Sequence, residues 1–139
     1  MTDLADANVL LALHAPGHPF HSRAAGWFEV CESFATTPMT EAGMVRLLMR
    51  ADVMGGKPLP ASDALAMLGI LKQQPHFAFW PDGEQLERSR FAYAFQGPSK
   101  VTDLHLLDLA AAHGGVLVTF DAKIFAALKS RDRKYIHQL

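Results

Sequence analysis

The sequence predicts an α/β protein, a three-layer α/β/α sandwich around a mainly parallel central sheet. Strand-like and helix-like segments alternate along all 139 residues. The strand-like segments are short and apolar, as expected for a sheet covered on both faces. Half of the residues are apolar, which is enough for one hydrophobic core and too few for two ordinary domains. Residues 1–139 are therefore expected to form a single domain.

The first quarter of the chain sets up this alternation. Residues 4–13, LADANVLLAL, are predicted to begin as a buried strand and to turn into a helix near Asn8. A second helix is predicted over residues 21–31 and a second strand over residues 33–38. The chain thus begins with two strands connected through helices, the pattern of a parallel sheet.

Helix start signals divide the middle of the chain. Thr37 is a candidate N-cap, and Pro38 suits the first turn of the helix that continues through residues 39–51. Ser62 is predicted to cap the next periodic helix, which is followed by a strand over residues 76–81.

The C-terminal part continues the rhythm, with Thr102 as a candidate N-cap and Gly114 as a candidate helix stop. Its predicted elements are a helix over 84–95, a loop over 96–100, a helix over 101–115, a strand over 115–120, a helix over 121–130 and a last strand over 134–139.

Four acids fall where strands end or helices begin. Asp6 lies toward the end of the first strand, and Asp121 directly follows the strand over 115–120. Glu41 and Asp103 each lie in the first turn of a helix. A helix N-terminus favours an acid by about 0.3–1 kcal/mol, which is an ordinary structural explanation for any one of them. Ligand sites in parallel sheets lie beyond the carboxyl ends of the strands, so the four acids are expected to converge there.

Converging carboxylates raise one another's pKa unless they are protonated or neutralised by a cation. All four are oxygen ligands, which favours Mg²⁺ or Mn²⁺ over zinc. A cation held in this way can activate a water for in-line hydrolysis of a phosphodiester. The chain has no G-x-S-x-G elbow, P-loop or G-x-G-x-x-G motif that would indicate another chemistry.

Three segments, LADANVLLAL, TTPMTEAGMVRLLMR and VTDLHLLDLAAAHGGVLVTFDAKIF, resemble in this order the acidic motifs of PIN-domain ribonucleases. They are most similar to those of VapC toxins from prokaryotic toxin–antitoxin pairs. The resemblance implies a Mg²⁺- or Mn²⁺-dependent endoribonuclease. It also implies a homodimer that a VapB-type antitoxin inhibits by placing its C-terminal segment in the active-site groove. The metal-binding acids that it implies are Asp6, Glu41, Asp103 and Asp121.

Several further residues receive supporting roles. The resemblance implies that the Asn8 amide holds the turn at Asp6 and that the Thr119 hydroxyl orients a ligand or a water. Arg46 and Arg50 follow Glu41 on the same helix and are candidates for RNA contacts. Many relatives place a long residue directly after the fourth acid. Here Ala122 stands there, which departs from that pattern, and Lys123, the next residue, is a candidate RNA contact.

Composition limits the partners and the compartment. The formal net charge of −1 gives no overall basic field for nucleic acid or membrane, so any RNA site must be local. The single cysteine, Cys31, excludes an internal disulfide, and no apolar run approaches the roughly 20 residues that span a bilayer. A cytoplasmic protein without a membrane partner is expected.

Two clusters of polar residues receive unexceptional interpretations. His14, His18 and His21 are expected to lie in a polar surface loop, since no fourth metal ligand accompanies them. Asp108 is expected to be a solvated or partner-facing acid, because it lies about 140° around the helix from Asp103.

Two alternatives to a nuclease remain open. A receiver-like signalling domain also groups acids at sheet ends, although it needs a late strand that ends in Lys and an acceptor Asp after a central strand. The predicted third strand here ends at Trp80 and Pro81. A PIN-like domain that binds RNA or a partner without cleavage is the second alternative, and the presence of all four acids disfavours it.

Overall fold

The computed structural model describes residues 1–95 and 97–139, and it contains one five-stranded sheet in which all neighbouring strands are parallel. The strand order is β3-β2-β1-β4-β5. This confirms the predicted parallel sheet. The strands are β1 Thr2–Ala5, β2 Ser33–Thr36, β3 Phe77–Phe79, β4 Val116–Thr119 and β5 Ile136–Gln138.

Helices cover both faces of this sheet and form the outer layers. They are α1 Ala7–His14, α2 His21–Val30, α3 Pro38–Leu48, α4 Ala61–Leu71, α5 Val101–Ala112 and α6 Ala122–Ala127. Neighbouring strand residues point to opposite faces. Leu4 and Leu117 accordingly pack in one core cluster with α5 and α6. Ala5 and Val118 pack in a second cluster with α1 to α4. The three-layer α/β/α prediction is confirmed.

The sheet has its topological switch between β1 and β4. From β1 the chain adds β2 and β3 on one side, and it then returns to add β4 and β5 on the other. Connections that leave in opposite directions open a crevice at the carboxyl ends of the two central strands. The Asp6 N–H donates to the Val118 carbonyl at 3.0 Å, so the two strands stay paired up to the edge of this crevice.

The helix predicted over residues 84–95 is wrong. This stretch contains only two short 3₁₀ turns, Leu86–Arg88 and Ala92–Ala94. Phe91 is fully buried, whereas Leu86 is 42% exposed, so the apolar residues do not form the continuous face that a packed helix needs.

Helix starts differ in detail from the predictions. Thr37 precedes α3 as its N-cap residue, as predicted, and Pro38 is its first residue. The helix α4 begins at Ala61 after Pro60, so Ser62 lies inside its first turn.

The start of α5 also shifts. A 3₁₀ turn over Pro98–Lys100 leads directly into the helix and makes Lys100 its N-cap residue, in place of Thr102. Gln96, the first residue of the predicted loop 96–100, lies outside the described residues. Gly114 has a φ of +68° and ends α5 as predicted. No helix in residues 1–95 and 97–139 is both long and apolar enough to cross a membrane.

Candidate active site

The crevice beside the carboxyl ends of β1 and β4 is a cleft of about 470 Å³. Three of the four predicted acids line it, each from a different part of the chain. Its lining residues are Asp6, Asn8, His18, Phe20, Ser99, Lys100, Asp103, Thr119, Phe120 and Asp121.

Asp6 is the most deeply placed of these acids. It follows β1 as the N-cap residue of α1, and only 7% of it is exposed. Burial raises the pKa of Asp6, while a hydrogen bond from the Thr119 hydroxyl opposes that shift. The backbone N–H groups of Ala7 and Asn8 also face the carboxylate and oppose the shift, although no full helix cap forms. The first strand thus ends in a buried carboxylate aimed at the cleft.

Thr119 links two of the acids through one buried hydroxyl at the end of β4. Its Oγ1 donates to Asp6 Oδ2 at 3.1 Å and accepts from the backbone N–H of Asp121, also at 3.1 Å. Thr119, for which a supporting role was predicted, therefore contacts two of the acids directly. A buried hydroxyl that both donates and accepts fixes the positions of its partners more firmly than an exposed one.

Asp103 enters the cleft from the first turn of α5. Burial raises its pKa to about 6, and the neighbouring charges of Asp6 and Asp121 act in the same direction. The nearby Lys100 ammonium opposes the shift. The cleft therefore holds more negative charge than its own groups neutralise.

Lys100 is the residue of the cleft that sequence reasoning missed. Its Nζ donates to Asp121 Oδ2 in a partly buried ion pair. Burial would raise the pKa of Asp121, but the hydrogen bonds from Lys100 Nζ and the Lys123 N–H outweigh it and lower that pKa. The available signal was the spacing, because Lys100 precedes Asp103 by three residues, close to one helical turn.

Glu41 does not line this cleft. It lies in the first turn of α3, in a neighbouring groove between α3 and α4. Its Oε1 accepts from the Thr36 hydroxyl and pairs with Lys72 Nζ, each at 2.7 Å. The structure therefore brings together Asp6, Asp103 and Asp121, whereas Glu41 lies in a separate groove and is engaged by Thr36 and Lys72.

The residues for which supporting roles were predicted lie in or near the cleft or in the α3–α4 groove. The Asn8 side chain lies exposed at the cleft. Within the described residues its side-chain amide makes no hydrogen bond to Asp6. The Thr119 hydroxyl is the side chain that holds Asp6. Arg46 and Arg50 line the α3–α4 groove that also contains Glu41.

Arg50 and Lys123, two of the candidates for RNA contacts, differ in the partners that their side chains or backbone already have. The Arg50 guanidinium forms an exposed ion pair with Asp52 at 2.6 Å, which competes with any contact to RNA. Lys123 lines a smaller cavity that Lys100 also borders. Of these two, Lys123 lies nearer to the acids, since its backbone N–H donates to Asp121 Oδ1 at 2.8 Å.

Each of the three histidines His14, His18 and His21 is held by a contact to the backbone. His14 Nδ1 contacts the Leu10 carbonyl and His21 Nδ1 contacts the Ala12 carbonyl, both at 2.7 Å. His18 Nδ1 accepts from the Phe20 N–H, and His18 also lines the cleft. The loop prediction is wrong for His14 and His21, which are the last residue of α1 and the first residue of α2, where their rings reach carbonyls of α1. His18 lies between the two helices, as predicted.

Asp108 is buried, so its prediction as a solvated acid is wrong. It is 5% exposed, and its Oδ1 accepts from the Arg90 N–H at 3.1 Å. Its Oδ2 has no partner among residues 1–95 and 97–139. Asp108 fastens the segment before Lys100 to α5, on a side of the helix away from the cleft lining.

The donor set of the cleft fits a hard divalent cation. Three carboxylates face one ammonium, and carboxylate oxygens are the ligands that Mg²⁺ and Mn²⁺ prefer. Across the described parts of the chain, no three His, Cys, Asp or Glu side chains are placed closely enough to hold a metal ion together. Mg²⁺ commonly binds through one or two carboxylates and completes its shell with water and substrate phosphate, so this open arrangement suits it.

Comparison with known proteins gives a consistent result. A family model described as PIN domain matches residues 4–130. The chain is 42% identical over 132 residues to Ribonuclease VapC39 of Mycobacterium tuberculosis, covering 89% of this chain and 91% of that protein. It is 37% identical over 123 residues to Ribonuclease VapC29 of the same organism, covering 88% and 87% respectively.

A solved structure shares the fold. It is the crystal structure of Mycobacterium tuberculosis VapC20, described as a Sarcin-Ricin loop cleaving toxin, with a TM-score of 0.63 and 16% sequence identity. The match covers 90% of this chain and 94% of that one. At this identity the likeness concerns the fold.

Proposed function

The chain belongs to the PIN domain family, in its VapC branch, and we propose that it is an endoribonuclease toxin that hydrolyses RNA phosphodiester bonds. The observation that carries this proposal is the convergence of Asp6, Asp103 and Asp121 on one cleft at the topological switch. The receiver-like alternative fails on the order of its strands. Its sheet order is 2-1-3-4-5, whereas this sheet has the order 3-2-1-4-5.

We propose that Asp6, Asp103 and Asp121 bind Mg²⁺, with Mn²⁺ as a substitute, and that Glu41, the fourth predicted acid, assists from the α3–α4 groove. A divalent cation at these oxygens supplies Lewis acidity and positive charge where a phosphodiester is attacked. The protein's part is to hold the acids in place, and Thr119 does this for Asp6 and Asp121 through its single hydroxyl.

Glu41 differs from the other three acids in its surroundings. Its carboxylate is already bound by the Thr36 hydroxyl and the Lys72 ammonium. We therefore expect Glu41→Gln to reduce cleavage less than Asp6→Asn does. Equal losses in the two variants would show that Glu41 contributes as directly as the acids of the cleft.

The remaining assignments follow from the family. We propose RNA as the substrate, a VapB-type antitoxin as the inhibitory partner, a homodimer as the assembly and the cytoplasm as the compartment. Phosphate contacts by Lys123 fit its place beside the cleft. Contacts by Arg46 and Arg50 would extend along the groove that contains Glu41.

RNA cleavage by the purified protein tests the proposal. We expect cleavage with Mg²⁺ or Mn²⁺ and none with excess EDTA. Removing a residue that only supports a metal ligand costs roughly 10- to 100-fold, so Asp6→Asn should cost more than this. Asp63→Asn is the matched control, because Asp63 is an exposed acid in the first turn of α4. Cleavage that persists both in EDTA and in Asp6→Asn would overturn the metal mechanism. No cleavage by wild type with either cation would overturn the proposed activity and favour a PIN-like domain that binds without cleaving.

A further inference from the structure

Lys100 is placed where it can compete with a metal ion. Its ammonium donates to Asp121 Oδ2, and the carboxylates of Asp103 and Asp6 also stabilise its charge. The pair is only partly exposed, with 23% of the Lys100 side chain and 25% of the Asp121 side chain accessible to solvent. An ion pair that is partly shielded from solvent is stronger than one on the open surface.

We propose that Lys100 is a built-in countercharge of the acidic cleft, which a divalent cation must displace in order to bind. In the metal-free protein the ammonium neutralises part of the charge of the three acids. The inference rests on the proposed metal dependence, and it adds a residue that sets how tightly the cation is held.

The two oxygens of Asp121 explain why the lysine and a cation exclude each other. Oδ1 already accepts the N–H of Lys123 at 2.8 Å and thereby caps α6. Oδ2 is the oxygen left for the cleft, and Lys100 occupies it. Because two like charges cannot share one oxygen at low cost, cation binding through Oδ2 requires the ammonium to leave.

The structure also offers the displaced side chain a place to go. Lys100 borders a second cavity of about 230 Å³ next to the cleft. Ser99 and Lys123 line the same cavity, as do the apolar side chains of Leu104 and Ile124. The flexible four-carbon stem of a lysine can pack along such apolar groups while its ammonium reaches water.

Mn²⁺ titration of the purified protein tests this inference. Lys100→Met keeps most of the stem and removes the charge, so we expect it to bind Mn²⁺ roughly tenfold more tightly than wild type in calorimetry at pH 7.5. In EDTA its Tm should be lower than that of wild type, and Mn²⁺ should raise its Tm by more. Lys100→Arg keeps the charge and should bind Mn²⁺ as weakly as wild type. Lys57→Met, at an exposed loop lysine, is the matched control.

A second measurement needs only the wild-type protein, in case Lys100→Met does not fold. Lysine acetylation, read by mass spectrometry, should become several-fold faster at Lys100 when Mn²⁺ is added, while Lys57 should not change. Labelling of Lys100 that is unchanged or slower with Mn²⁺ would overturn the inference.

The outcomes separate this inference from the proposed function. If wild type binds Mn²⁺ and cleaves RNA, but Lys100→Met binds Mn²⁺ no more tightly, only the role of Lys100 is overturned. If wild type neither binds Mn²⁺ nor cleaves RNA, the proposed function is overturned and the countercharge role with it.

Discussion

Replacing Asp103 by Asn should stabilise the metal-free protein at neutral pH. The pKa of Asp103 is raised to about 6 from an ordinary value of 3.8, chiefly by burial. A raised carboxyl pKa means that the folded protein favours the protonated form. The resulting stability is present at low pH and is lost as the pH rises through 6. The cost of ionising Asp103 therefore begins above the ordinary pKa of 3.8 and is complete above pH 6, and a neutral amide does not incur it.

The size of the effect follows from the shift. One pKa unit corresponds to about 1.4 kcal/mol, so full ionisation of Asp103 costs up to about 3 kcal/mol at pH 7.5 and about half of that at pH 5. Solvent screening at this partly exposed position reduces these figures, and we expect a gain of roughly 1–3 kcal/mol for Asp103→Asn at pH 7.5.

Urea denaturation in EDTA measures this gain, with the two buried tryptophans, Trp27 and Trp80, as the fluorescent reporters. The advantage of Asp103→Asn in free energy of unfolding should shrink by about half between pH 7.5 and pH 5. Asp63→Asn, at an exposed acid, should stay within about 0.5 kcal/mol of wild type at both pH values. An Asp103→Asn variant that is less stable than wild type at pH 7.5 would refute the electrostatic account of the cleft.

Two further predictions concern packing and support around the acids. Thr119→Val removes the hydroxyl that Asp6 depends on, so it should lower the free energy of unfolding by about 1–3 kcal/mol and slow RNA cleavage by roughly 10- to 100-fold. Thr119→Ser should retain most of both, and full cleavage by Thr119→Val would contradict the supporting role. Gly43→Ala would place a Cβ 2.7 Å from the Ala7 Cβ and should cost about 1–3 kcal/mol in thermal or urea unfolding. Gly69→Ala, in open space on α4, should instead raise stability by about 0.5–1 kcal/mol, and equal signs for the two would contradict the packing of α1 on α3.

Local patterns were enough to predict the layers of the fold. The alternation of Leu117 and Val118 between the two cores is the signal of a strand buried on both faces, and it was readable in advance. The strand order was not, because it depends on which way each connection crosses the sheet. The prediction of a helix over 84–95 was wrong because Phe91 is buried in the core without a helical face around it, which the spacing of apolar residues alone does not reveal.

The site divides in the same way. Asp6 and Asp121 were predictable because they lie within two residues of the ends of two central parallel strands, and such strand ends meet at one edge. The engagement of Glu41 was not, since its partner Lys72 lies 31 residues further along the chain, directly after α4. The pairing of Lys100 with Asp121 is likewise non-local. Contacts of this kind are set by the packing of whole helices. The three-residue spacing of Lys100 and Asp103 indicates that the lysine lies near the cleft, but it does not identify Asp121 as its partner.

Anomalous diffraction from crystals grown with Mn²⁺ tests the central claim most directly, because it locates the cation without reference to activity. We predict a manganese peak in the cleft, bounded by the carboxylates of Asp6, Asp103 and Asp121, with the Lys100 ammonium withdrawn from Asp121. A manganese peak bound elsewhere on the protein, with these three carboxylates left uncoordinated at saturating Mn²⁺, would contradict it.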